Sequence, residues 1–160
     1  MSRRFFSDQS GSAAAEMALM LPMLLVLMFG GFEAGHFIWT QHKLTEAVRD
    51  GARFASRMEI DDICGTDPDA ARAEVRLLTR TGQLADANAN PKVPGWTDGM
   101  VTVTCGTFVS TGLYADLGGA GPTVTVLASG VPYPSLFQQL GLIDGNVLLT
   151  AESHAAVIGI

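Results

Sequence analysis

The sequence predicts an α+β protein in which a long N-terminal membrane-spanning helix precedes a short helix and a small antiparallel sheet. Three observations carry that expectation. Met17 to Phe32 is an apolar run with no charged residue. From Phe37 to Met58 apolar residues recur at helical spacing, and after residue 100 they alternate with threonines at the period of a strand.

The first element has a polar leader, Met1 to Ser10, with Arg3 and Arg4 against one acid, Asp8. A cationic flank before an apolar helix predicts a cytoplasmic N-terminus and an exported remainder. The uncharged run alone covers only about 24 Å at a helical rise of about 1.5 Å per residue, short of a hydrocarbon core of about 30 Å. Extending the helix from Ser12 to Trp39 supplies the missing length and places Phe37 and Trp39 at the outer interface as an aromatic anchor. It also draws in two acids. Glu33 reaches the outer interface beside His36, one turn later. Glu16 lies a turn inside the cytoplasmic end, where an uncompensated carboxylate costs several kcal/mol, and so marks a functional position. Snorkelling to the cytoplasmic interface is the plainer account of that acid. A cleavable secretory signal is the rival reading of the whole segment, with small residues near Ala34 and Gly35, although no A-x-A site is present and helical patterning continues through it.

That patterning is a stripe of Phe37, Leu44, Val48, Gly51, Ala55 and Met58. Arg49, Arg53 and Arg57 form a basic row on the same helix, read as a solvated face, with Asp50 one turn before Arg53 as its local partner. A continuous helix from Ser12 to Met58 is about 70 Å long, with Pro22 or glycines 30, 31 and 35 as places to flex.

Three blocks then stand in a telling order: G-S-A-A-A-E-M-A-L-M-L-P at 11 to 22, F-G-G-F-E-A-G at 29 to 35, and L-T-E-A-V-R-D-G-A-R-F-A at 44 to 55. In residues, order and spacing the chain resembles the TadE-like pseudopilins of tight-adherence, or Flp-type, pilus systems, and V-P-Y-P at 131 to 134 with the following hydrophobic strand is similar to the family's tail. The resemblance implies cleavage by a prepilin peptidase after Gly11, so that Ser12 becomes the first residue and Glu16 the mature fifth. It further implies other pilins or pseudopilins and the pilus assembly platform as partners, and pilus assembly and surface attachment as the role. A new ammonium on Ser12 can then face the Glu16 of a neighbouring subunit, so that two charges expensive in a low-dielectric setting offset each other and set register. Major Flp pilins follow this glutamate with tyrosine, whereas here Met17 follows, and the C-terminal region is far larger; both point to a minor pseudopilin.

The expected organisation is a leader at 1–11, a transmembrane helix at 12–39, its periplasmic continuation at 40–58 and a small α+β periplasmic domain at 59–160. Within the last, Glu59 to Thr66 reads as an acidic loop holding Cys64. Asp67 offers an N-cap with Pro68 in the first helical position, and a helix over Pro68 to Thr81 packs Ala71, Val75 and Leu78 and stops at Gly82. Residues 83 to 99 read as a loop. Strands are expected over Met100 to Cys105, Thr123 to Ala128 and Val147 to about Ala156, the last entered through the turn Asp144-Gly145-Asn146, and together they form a sheet on the exported half of the long helix. Gly106 to Pro122 and Gly130 to Asp144 read as loops. The second is unusually apolar at Leu136, Phe137, Leu140, Leu142 and Ile143, which suits contact with a membrane or a partner as well as it suits covering the sheet.

Cys64 and Cys105 are the only cysteines, and the exported side is oxidising, so a disulfide is the leading reading and two free buried thiols the alternative. A metal site is not expected, because neither cysteine has a C-x-x-C partner and His36, His42 and His154 are scattered. The acid pairs Asp61 with Asp62 and Asp67 with Asp69 offer at most a weak Ca²⁺ site beside their ordinary loop and cap roles. No cofactor is expected: the chain carries no G-x-S-x-G, H-E-x-x-H or phosphate-loop motif, and Gly118-Gly119-Ala120-Gly121 reads as flexible loop rather than nucleotide cradle. A net charge of -6 argues against nucleic acid as a partner. Beside the pseudopilin reading stand an unprocessed single-pass membrane protein with a periplasmic binding or sensing module, and a small secreted domain.

Overall fold

Helix α1 runs unbroken over Ser10–Ala55, with Pro22 accommodated inside it. The protein is seen in a computed structural model that describes residues 10–86, 88–107, 122–142 and 147–158. The leader residues 1–9, the Gly118 to Gly121 cluster, Ile143 and the Asp144-Gly145-Asn146 turn lie outside the described residues. The chain divides into two units, Met1–His36 and Phe37–Ile160. The first is helical where it is described, and its apolar side chains are exposed: Leu19, Val26 and Leu27 are each about two-thirds exposed or more.

The second unit holds the core. The last turns of α1 contribute Leu44, Ala47, Val48, Ala52 and Ala55, all buried, so from Leu44 to Ala55 the predicted stripe is the packed face of this helix, widened by Ala47 and Ala52, while Phe37 at its start is 38% exposed. α1 stops earlier than expected, at Ala55 rather than Met58. Its end tightens into three-residue bonds, Arg57 N–H to Phe54 O and Met58 N–H to Ala55 O, while the Ser56 hydroxyl donates to Arg53 O and Ser56 O accepts from Ile158 N–H. The carbonyls that a helix end leaves open are thereby satisfied from inside the unit.

The acidic loop expected at Glu59 to Thr66 is instead mostly a short helix, α2 (Ile60–Cys64), which buries Ile63. One buried side chain is enough to order a turn that local composition leaves undecided. α3 follows over Asp69–Thr81, and its N-cap is Pro68, with no side-chain cap, rather than Asp67. Gly82 closes it as expected, in the left-handed region at φ 79°, with its N–H on Leu78 O at 2.7 Å. Ala71 and Val75 are buried, but Leu78 is only half-buried; the fully buried position of that turn is Thr79, whose hydroxyl donates back to Val75 O at 2.7 Å.

The stretch from 83 to 99 is not merely a surface connection, since Val93 and Trp96 sit in the core. Trp96 Nε1 is the one fully buried side-chain donor without a hydrogen-bond partner among the described residues. Arg80 Nε on α3 pairs with Asp98 at 2.6 Å, just ahead of the sheet. The sheet is β1 (Val101–Thr107), β2 (Pro122–Pro132) and β3 (Leu148–Ala156), antiparallel with β2 central. Val101, Val103, Val124, Val126, Ala128, Leu149 and Ala151 face the core, and Thr102, Thr104, Glu152 and His154 face out, the alternation that a half-buried sheet requires.

β2 runs four residues past its expected end. The interval from Ala128 to Val131 is three, not two, and the register shifts there, so a bulge with Gly130 at φ 71° keeps Val131 on the buried side. Part of the expected Gly130 to Asp144 loop is therefore strand, and another part is a short helix, α4 (Leu136–Gln139), capped by the Ser135 hydroxyl accepting from Gln138 N–H.

Candidate functional site

The three residues that chemistry singles out at the start of the chain, Gly11, Ser12 and Glu16, all lie on the first turns of α1 and are exposed. Ser12 and Glu16 are four residues apart, so a helix presents them on one face. A side chain added at Gly11 meets nothing within 4 Å among the described residues. The helix that follows is long and apolar enough to cross a membrane: its best window has a mean hydropathy of 2.0 and is unburied throughout. Glu33 and His36, at the far end of that stretch, are half-buried.

At the end of that apolar stretch the first polar landmark is an aromatic one. Lys43 Nζ lies 4.4 Å from the Trp39 ring centroid, a cation over the π-face of a half-exposed indole. Phe37 meets Tyr133 edge-on at 5.3 Å between ring centroids. This contact was not legible in the sequence. Tyr133 stands in the V-P-Y-P block and Phe37 in the stripe, but nothing local links two positions almost a hundred residues apart. Next to Tyr133 the apolar segment is left exposed rather than laid over the sheet. Leu140 is 67% and Leu142 66% exposed, Leu136 is 38% exposed, and Phe137 is half-buried.

Cys64 and Cys105 are joined by a disulfide, Cα to Cα 5.7 Å, tying the end of α2 to β1. Arg72 Nε donates to Ile63 O at 3.2 Å, so α3, α2 and β1 are held at one corner by a covalent bond and a polar one. The basic row Arg49, Arg53 and Arg57 is solvent-exposed, and an open depression of about 320 Å³ beside it is lined by Glu46, Arg49, Asp50 and Arg53. Asp50 pairs with Lys92 at 3.5 Å, not with Arg53 as the helical spacing suggests, because the loop after α3 carries a cation to it. Among the described residues, no group of three or more His, Cys, Asp or Glu side chains is placed to hold a metal ion.

Residues 11–53 match the family model of TadE-like proteins. That range contains the Gly11, Ser12 and Glu16 constellation, the apolar span and the start of the buried stripe. No curated protein and no solved structure matches the chain.

Proposed function

We propose that this Tad pilus-related protein, TadE-like over residues 11–53, is a minor pseudopilin that takes part in assembling a tight-adherence pilus and so in surface attachment. The single observation that carries the reading is the coincidence, within one matched segment, of a small-residue junction at Gly11–Ser12, an acid at Glu16 and a helix able to span a bilayer. Arg3 and Arg4 orient that helix with its N-terminus in the cytoplasm, which leaves the sheet and the Cys64–Cys105 disulfide in the periplasm, an oxidising compartment. A prepilin peptidase cuts after Gly11. The new Ser12 ammonium then faces the Glu16 carboxylate of a neighbouring subunit and offsets an acid that is otherwise costly inside a membrane helix. The protein performs no chemistry of its own and works through its neighbours: other pilins, the assembly platform and the lipid bilayer.

Intact mass or N-terminal sequencing of protein extracted from membranes tests the reading. A start at Ser12 is expected. A start at Met1 marks a permanent single-pass anchor for a binding or sensing module, and a start beyond about residue 34 marks a secreted domain. Gly11→Val, which places a branched side chain at the junction, is expected to leave the chain uncut. Glu16→Ala is expected to be cut and yet to assemble poorly. Normal pili in Glu16→Ala cells would show that the charge pair is not what joins the subunits.

A further inference from the structure

The apolar surface around α4 is linked to Phe37 on α1 through a chain of contacts inside the second unit. Phe37 is the first residue of that unit and stacks edge-on with Tyr133. Three residues after Tyr133, α4 begins, and the Tyr133 N–H donates to Val147 O at 2.8 Å, which brings the start of β3 to the same place. Every one of these segments exposes large apolar side chains: Leu140 67%, Leu142 66%, Leu148 60%, Ile38 56%, Trp39 56% and Leu136 38%. A patch of this kind on a soluble surface marks an interaction site.

We infer that this collar lies in the outer headgroup region of the bilayer from which α1 emerges, with α4 as a second, shallow membrane contact. Three observations choose lipid over a protein partner. Phe37 is covalently the next residue after the unit that contains the span, so a bilayer at the span's end is already within reach of whatever touches Phe37. From Val131 to Leu142, the stretch that holds Tyr133 and α4, the sequence has no charged residue, so no charge has to be desolvated when this surface enters the headgroup region. Lys43, one turn after Trp39 on α1, holds its ammonium over that exposed ring, the pairing of an interfacial aromatic with a cation able to meet lipid phosphate. The two amides of α4, Gln138 and Gln139, are exposed and uncharged. The collar thus limits how far the domain can tilt away from the membrane before it is drawn into a filament.

The inference rests on α1 spanning the bilayer, and the test separates the two. The full chain, with its native cysteines closed in the disulfide, is given a single reactive thiol by Leu140→Cys, labelled with an environment-sensitive fluorophore and reconstituted in phosphatidylcholine vesicles at low protein-to-lipid ratio. Leu24→Cys, inside the span, and Thr104→Cys, on the outward sheet face, serve as references. The label at 140 is expected to shift to the blue and to lose most of its emission to lipids carrying a nitroxide at the headgroup or a shallow acyl position, the label at 24 is expected to be quenched by a nitroxide deep in the acyl chain, and the label at 104 stays aqueous. Quenching at 24 without quenching at 140 overturns the collar and leaves the anchor intact. A shift at 140 that grows with protein density and ignores the nitroxide means that a second copy covers the patch, which also overturns it. Absence of quenching at both 24 and 140 removes the anchor and the collar together.

Discussion

Gly51→Ala isolates the closest approach between α1 and α3. A Cβ built on Gly51 collides with the Thr79 hydroxyl oxygen, and Thr79 is fully buried with that hydroxyl bonded to Val75 O at 2.7 Å. The side chain cannot turn aside without breaking a bond worth about 1 kcal/mol and stranding a buried donor. If it stays, the two helices must part, and overpacking of this sort costs about 1–3 kcal/mol. Against this stands the gain in helix propensity from glycine to alanine, about 1 kcal/mol. The balance is a loss of up to about 2 kcal/mol, with a fall in melting temperature of roughly 2–8 °C per kcal/mol. Near-UV circular dichroism of the full chain in detergent micelles reads the transition. The contact also makes a prediction about coupling: Thr79→Ala removes the colliding oxygen, so the double variant is expected to be more stable than the sum of the two single changes, by about 1 kcal/mol or more. A Gly51→Ala protein that melts above the parent temperature, or a strictly additive double variant, would refute the contact.

Replacing both Cys64 and Cys105 by alanine opens a loop with a sequence separation of 41 and is expected to cost about 4 kcal/mol in the chain-entropy treatment; reductant added to the parent chain should give a similar drop in melting temperature and none in the variant. Leu44→Ala, at a fully buried position of α1, is expected to cost about 2–5 kcal/mol, whereas Leu140→Ala, at a 67% exposed one, should leave thermal stability in micelles within about 0.5 kcal/mol of the parent. Asp98→Asn removes a pair whose acid is largely exposed, and a loss of no more than about 1 kcal/mol is expected by the same melts. In cells, Gly11→Val should migrate as the uncut chain on membrane immunoblots, and Glu16→Ala as the cut one with few pili by electron microscopy.

Much of this architecture is written in short-range pattern. A helix repeats its faces every 3.6 residues and a strand every two, so the buried face of α1, the stop of α3 at Gly82 and the inward valines of β1 and β2 follow from residues only a few positions apart. The pattern of charge against apolar length likewise singled out Gly11, Ser12 and Glu16 as candidates, ahead of a helix long and apolar enough to cross a membrane, because the cost of a carboxylate in lipid depends on composition and not on the fold. Other features became visible only in three dimensions. Val93 and Trp96 lie among polar and turn-forming residues with no period of their own, and their burial depends on α1, α3 and the sheet already being assembled around them. The continuation of β2 beyond Ala128 needed a bulge that local propensity at Ser129-Gly130 speaks against, and pairing with Leu148 and Leu149 overrides that preference. Asp50 reached Lys92 instead of Arg53, and Phe37 met Tyr133, through contacts that chain proximity does not encode. Sequence alone thus determined the long apolar helix, α3 and the three strands, since those are settled by neighbours along the chain, while α2, α4 and the extension of β2 were not legible there. The tertiary structure alone decided which apolar side chains are left facing outward around α4, because exposure is what remains after every distant segment has taken its place.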